Sequence, residues 1–234
     1  MGYYGERGID KLISRVFFPD KSYKGVFIEV GAADPTYLSI SKHFRNIGWD
    51  IVSIEPNPYF AKRHREAGNT ILEYACGEKD EDSVDFEVAT PRIKNGKITN
   101  ESFSSLKVKE CYKQKYPEEF AQYSINKIKV KVRRLETIVK QQQIGGIDIL
   151  SVDTEGWELE VIRSLNMSVN KPKLIVVENW LEDKGYNNCI IGYGYQFVCS
   201  LKPNEIYVRT DTFSKKKIML ARIYANILRG YNGK

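Results

Sequence analysis

Hydrophobic positions change their period several times along the chain, and each change marks an element. Between residues 3 and 18, Ile9, Leu12, Ile13 and Val16 recur at helical spacing after a polar lead-in, which predicts a first helix. Val26-Phe-Ile-Glu-Val30 is almost wholly β-branched or aromatic and reads as a buried strand, broken by Gly31. Asp34 then Pro35 resembles a helix start, a capping carboxylate ahead of a residue whose missing N–H costs nothing in the first turn. That helix is expected from about Thr36 to Asn46, stopping at Gly48. Asp50 to Ile54 is a second strand, Asn57 and Pro58 open the next helix as cap and first residue, and Thr70 to Ala75 is a third strand ended by Cys76-Gly77.

Ser83 to Ala89 and Lys127 to Val132 alternate like strands and suggest an inserted antiparallel pair. Residues 90–126 between them are polar, basic and turn-rich, a length that usually serves as a lid or binding loop. Leu135 to Gln143 reads as a helix ended by Gly145-Gly146. Ile147 to Val152 is a strand, apolar except for Asp148 and Ser151, and Asp153-Thr-Glu-Gly-Trp-Glu158 leads from it into a helix to about Leu165. Lys173 to Val177 ends at Glu178-Asn179, and Tyr195 to Ser200 with Glu205 to Arg209 closes the chain's sheet as an antiparallel pair. Strands alternating with helices predict a doubly wound α/β fold: a seven-stranded, mostly parallel sheet with an antiparallel insertion and a C-terminal helical tail.

Length and charge refine this picture. At 234 residues one domain is expected, residues 1–212, with 213–234 as a tail. The net charge of +6 belongs to that tail, which has six basic residues and no acidic ones, leaving 30 against 30 elsewhere. Lys215, Arg222, Asn226 and Arg229 share one helical face of the tail, and Leu220, Ile223, Tyr224 and Ile227 another. Docking on its own domain or on a second copy is the expected use; peripheral contact with the inner face of a membrane is the alternative. No signal peptide and no membrane-spanning apolar run is apparent, and Cys76, Cys111, Cys189 and Cys199 lack paired spacing. A cytoplasmic, reducing location is therefore expected, without a zinc site or disulfide framework.

The turn after the first strand does not suit a dinucleotide. It lacks the second and third glycines of a pyrophosphate site, Ala33 standing in one place, and Glu29 and Asp34 would repel a phosphate. Acids there suit S-adenosylmethionine, which carries a sulfonium and an ammonium. Glu55 follows Gly31 by 24 residues, close to the roughly 20 at which such folds place an acid on the ribose hydroxyls. The candidate cofactor residues are Glu29, Gly31, Ala32, Ala33, Asp34, Glu55, Pro56, Asn57, Cys76 near the adenine, Ser105 of the insert, and Asp153. Asn57-Pro-Tyr-Phe60 mimics an amino-methylation motif but follows the wrong strand.

Four strand ends carry acids: Glu29, Glu55, Asp153 and Glu178. In an open α/β sheet those ends border the ligand. Asp153 is the candidate general base or orienter of an acceptor hydroxyl, with Glu155 beside it. Asp153, Glu178 and Asn179 offer three oxygen ligands for Mg2+; alternatively Asn179 caps the following helix.

Over roughly residues 5–210 the chain resembles the FkbM-type methyltransferases. The matching segments are Gly5-Glu-Arg-Gly-Ile-Asp10, Ile28-Glu-Val-Gly-Ala-Ala-Asp34, Gly48-Trp49 with Ile54-Glu-Pro-Asn-Pro58, Ser104-Ser-Leu106, Pro172-Lys-Leu-Ile-Val-Val-Glu178 and Ile147-Asp-Ile-Leu-Ser-Val-Asp-Thr-Glu-Gly-Trp-Glu-Leu-Glu160, in which Asp153-Thr-Glu-Gly-Trp-Glu158 is the most specific. Ala33 stands where many relatives have asparagine, and Pro35 where many have glycine. The resemblance implies S-adenosylmethionine-dependent O-methylation of a sugar, glycan, glycolipid or secondary metabolite, with the amino-terminal segment packed over the cofactor. An RNA methyltransferase and a non-catalytic nucleoside-binding module are the competing readings. No appended RNA-binding module is recognisable, which argues against nucleic acid.

Overall fold

A computed structural model describes residues 2–91, 103–115 and 117–231. After a short turn at Glu6–Gly8, helix α1 (Ile9–Leu12) continues as a wider π-helical turn, Ile13–Phe17. Strand β1 (Val26–Val30) leads to α2 (Ser41–Asn46), β2 (Asp50–Ile54), α3 (Pro58–Glu66) and the short strands β3 (Ile71–Leu72) and β4 (Ala75–Cys76). Strands β5 (Glu81–Pro91) and β6 (Tyr123–Arg133) bracket α4 (Glu110–Lys115) and α5 (Pro117–Phe120). Then come α6 (Leu135–Gln141), β7 (Ile149–Val152), α7 (Glu158–Arg163), β8 (Leu174–Glu178), α8 (Lys184–Gly192), β9 (Tyr195–Leu201), β10 (Asn204–Arg209) and α9 (Lys215–Tyr231).

The main sheet has seven strands in the order β3-β2-β1-β7-β8-β10-β9. All neighbours are parallel except at β10, which runs antiparallel to β8 and β9. This is the doubly wound architecture expected, and the winding reverses between β1 and β7. The inserted pair β5–β6 is antiparallel, as the alternation predicts.

Alternate residues of the central strands feed two cores, because successive side chains leave a strand on opposite faces. Ile28, Leu150, Val152, Ile175 and Val177 pack with α6, α7 and α8. Phe27, Ile149, Leu174 and Val176 pack with α1, α2 and α9 on the other face.

Three expectations are corrected. No helix forms at Thr36: Asp34 Oδ1 accepts the amides of Thr36 and Tyr37, both at 2.8 Å, closing a local turn. Leu38 then turns left-handed at φ 54°, and helix begins only at Ser41. The third strand splits, with β3 in the main sheet while β4 pairs with β6 in a separate three-stranded sheet. Helix α6 is ended by Gln143 at φ 54°, not by the two glycines beyond it.

Helix α9 docks on its own domain through Ile218, Ala221 and Ala225, all buried. Arg222 donates to the carbonyls of Val198 (3.1 Å) and Phe197 (2.9 Å), and Arg229 to that of Ser200. These are carbonyls of β9, the last strand of the main sheet, so the helix covers an edge that would otherwise invite strand addition. Among the described residues no helix is long and apolar enough to cross a membrane.

Candidate active site

The strand order reverses between β1 and β7, and a cavity of about 220 Å³ opens at the carboxyl ends of these strands. Its floor depends on Gly31. A Cβ there would sit 1.7 Å from the Asp153 carbonyl oxygen, and its φ is +79°, so only glycine lets the two turns pass. The next residues are strained into place. Of the six non-glycine residues in the left-handed region among the described residues, Ala33, Leu38 and Glu155 line this cavity, and such outliers collect where function over-determines the backbone. Asparagine tolerates that region better than alanine, a physical reason for its preference at position 33.

Glu55 ends β2 with both oxygens anchored. Oε2 accepts the Ala33 amide at 2.9 Å and Oε1 the Asn57 amide at 2.8 Å. Burial nevertheless pushes its carboxyl up to about 7, with the Glu29 charge adding. Glu29 is buried and raised for the same reason, and its Oε2 accepts from Ser41 Oγ at 2.7 Å. Burial opposes ionisation of Asp34, yet the amides of Tyr37 and Thr36 and the Arg63 guanidinium 2.8 Å away hold it below the usual range.

The loop after β7 is organised from within by Glu158, which is fully buried. Its Oε1 accepts the amides of Thr154 and Gly156, both at 2.9 Å, and its Oε2 the Tyr186 hydroxyl at 2.5 Å. Glu155 stands in this loop at φ 55°, ahead of α7. Carboxylate oxygens of Asp153, Glu155 and Glu178 lie within 4.8 Å of one another. Burial raises Asp153 to about 7, and the nearby Glu158 charge adds to it. Glu178 is likewise pushed well up, by burial and then by the Asp153 charge, which favours a proton shared by the pair on the Glu178 side. Glu178 Oε2 is buried without a hydrogen-bond partner.

The insert roofs this loop. Trp157 Nε1 donates to the Lys107 carbonyl at 3.0 Å, Lys109 lies over the Trp157 ring and pairs with Glu160 at 2.9 Å, and Tyr112 packs on Gly156. Ser105 is held to Glu87 by two backbone hydrogen bonds, and its buried Oγ has no hydrogen-bond partner. Residues 92–102 and 116 of the insert lie outside the described residues.

Of the sequence candidates, Glu29, Gly31, Ala32, Ala33, Asp34, Glu55, Pro56, Cys76, Ser105, Asp153, Glu155 and Glu178 line the one cavity. Two do not. Asn57 caps α3 through the Tyr59 amide at 3.0 Å and reaches the cavity only through the amide it offers Glu55. Asn179 is spent on the loop before α8: Oδ1 accepts the Asp183 amide at 2.9 Å, and Nδ2 donates to the Asp183 carbonyl and to Glu205. The third oxygen group beside Asp153 and Glu178 is the Glu155 carboxylate, not Asn179. Cys76 is a wall: burial raises its thiol to about 12. Residues missed in the sequence include Glu6, Tyr37, Phe103, Trp180 and Asn204. Only Glu6 had a signal, the Gly5-Glu-Arg-Gly segment.

A family model described as the methyltransferase FkbM domain matches residues 29–189. A search of curated proteins gave no match. Among solved structures, that of precorrin-6y C5,15-methyltransferase from Geobacter metallireducens GS-15 is similar, with 10% identity, a TM-score of 0.40, and coverage of 85% of this chain and 84% of that one.

Proposed function

The chain belongs to the FkbM family of S-adenosylmethionine-dependent methyltransferases, and from that premise we propose that its acceptor is a hydroxyl of a sugar, a glycan or glycolipid, or a secondary metabolite. The observation that carries this reading is Asp153, a carboxylate raised to about 7 at the strand end beside the switch point. A base with that affinity for protons works near neutral pH.

The cavity suits the methyl donor. Asp34, held ionised at the end of the Gly31–Asp34 turn, would face a cationic methionine end across the cavity that Glu29 also lines. Glu55 would accept the ribose hydroxyls on the lone pairs its two backbone amides leave free, and the partnerless Ser105 Oγ is available to a bound nucleoside. When bound, S-adenosylmethionine supplies an activated methyl group, so the S–C bond breaks as the new O–C bond forms and S-adenosylhomocysteine leaves. Asp153 would take the proton of the acceptor hydroxyl and release it to solvent. Protonated Glu178 would hold Asp153 in line, Glu155 would orient the acceptor, and the insert would cover that side. Alignment of the reacting atoms contributes up to roughly 7–11 kcal/mol in such displacements. A magnesium ion on Asp153, Glu155 and Glu178 would neutralise their repulsion and acidify an acceptor hydroxyl; turnover lost to a chelator and restored by Mg2+ is the observation it requires.

Calorimetric titration with S-adenosylmethionine and S-adenosylhomocysteine, with NAD as control, comes first. Micromolar binding of the first two leads to an acceptor screen, beginning with nucleotide sugars and glycans, read as a mass gain of one methylene. Binding without turnover on any hydroxyl acceptor, but with transfer to RNA at a steep salt dependence, would overturn the proposal.

A further inference from the structure

Helix α9 turns the wrong face to solvent for a helix that only closes a core. Its core side is Ile218, Ala221 and Ala225, flanked by half-buried Tyr224 and Leu228, while Met219, Leu220, Ile223 and Ile227 are 45–56% exposed. At 100° per residue these four share the outward face. A lone exposed aliphatic side chain is ordinary, but four along one face of a 17-residue helix form a patch. The helix is held rigidly beneath it by Arg222 and Arg229 on the β9 carbonyls and by Lys217 on the Phe17 carbonyl.

The charges on the helix itself have one sign. Lys215 and Lys216 are exposed at its amino-terminal end, and residues 213–234 contain no acid. Arg15, also exposed, lies alongside and donates to the Tyr224 hydroxyl. We propose that α9 seats its outward face on an anionic lipid surface, the four aliphatic side chains entering the headgroup–acyl boundary and the flanking cations meeting lipid phosphates and carboxylates. Aliphatic residues set among cations with no acid are what an interfacial helix needs. The helix lies on the surface and does not cross it. A second copy fits less well: pairing two α9 faces would juxtapose two purely cationic segments with no acid in either to offset them. The inference does not depend on the identity of the methyl acceptor.

The test is flotation of the full chain with vesicles of phosphatidylcholine alone or with about 30% phosphatidylserine. Wild type should bind the anionic vesicles at least about tenfold more tightly than the neutral ones. Combining Ile223→Ser with Ile227→Ser should weaken that binding about tenfold or more, with an unchanged melting temperature because both side chains are exposed. Lys215→Glu with Lys216→Glu should abolish the preference for anionic lipid. The proposal is overturned if wild type stays off anionic vesicles at low salt, if it binds both vesicles equally, or if the Ile223/Ile227 double variant binds like wild type. It is likewise overturned if ultracentrifugation without lipid shows a dimer that this variant dissolves while no vesicle retains the protein.

Discussion

Asp148 and Asp153 flank the same four-residue strand, β7, and lead opposite lives. Asp148 is at its start, buried, and accepts the Tyr23 hydroxyl at 2.6 Å and the Val26 amide at 2.9 Å while pairing with Lys173 at 2.7 Å. Asp153 is at its end, among Glu155, Glu158 and Glu178. One aspartate is surrounded by donors and ties β1 to β7; the other is surrounded by its own kind and takes up a proton near neutrality. In a parallel sheet every carboxyl end points the same way, so groups gathered there converge on one cavity. The amino ends are free to be satisfied, and they are where stability is built.

The comparison is broken most directly by exchanging each aspartate for its amide. Asp153→Asn should lower kcat by about 10²–10⁴-fold while leaving S-adenosylmethionine affinity within about threefold, measured by single-turnover kinetics and calorimetry. Its melting temperature should hold or rise, because a like charge is removed. Asp148→Asn should do the reverse, costing about 1–3 kcal/mol in urea unfolding with turnover per folded molecule unchanged. If Asp153→Asn turns over normally, the base is another group.

Gly31→Ala tests the contact between the two turns. A Cβ 1.7 Å from the Asp153 carbonyl at φ +79° cannot be absorbed by a side-chain shift. The expected loss is about 3 kcal/mol or more of stability, together with cofactor binding.

The pH dependence of stability carries the next largest effect. Glu55 and Asp153 are raised to about 7 in the folded chain, and Glu178 is raised as well. Their contribution is therefore full below the ordinary carboxylate range and is lost as pH rises through about 7. The ligand-free protein should melt about 3–6 °C lower at pH 8 than at pH 5.5. Glu178→Gln should flatten that slope and keep turnover within about tenfold, since the amide resembles the protonated acid. A profile that rises with pH would refute the shared-proton assignment.

The smallest effect separates strain inside the cavity from strain outside it. Gln143→Gly should stabilise the chain by about 1 kcal/mol, since Gln143 ends α6 in the left-handed region. Ala33→Gly relieves the same kind of strain in the cavity wall, but by freeing the amide that anchors Glu55 it should also weaken cofactor affinity a few-fold.

Much of this was legible in the residues. The β-branched runs placed β1, β2, β7 and β8 to within a residue or two, because continuous apolar strands need a parallel sheet buried on both faces. The Asp153–Glu158 segment marked the site by composition, and most candidate ligands do line one cavity. Asp34-Pro35 misled because an aspartate binds the amides two and three residues ahead equally well in a turn and in a helix cap, and Leu38 decided between them. Between the two uses open to Asn179, adjacency to Glu178 could not decide, because it says nothing about which way an amide turns after a strand ends; Asp183 and Glu205, ahead of α8, claimed it.

By itself the sequence determined the strand order's raw material, the acidic character of the β1 turn and the carboxylates at four strand ends, all of which follow from local propensity and spacing. Only the tertiary structure decided that Glu155 joins Asp153 and Glu178, that Glu158 serves the loop and not the cavity, and that α9 buries Ile218, Ala221 and Ala225 while leaving Met219, Leu220, Ile223 and Ile227 exposed. Those outcomes depend on which groups meet across long stretches of chain. A carboxylate's proton affinity and a helix's buried face are set by neighbours brought in by the fold, and neither is written in the residue itself.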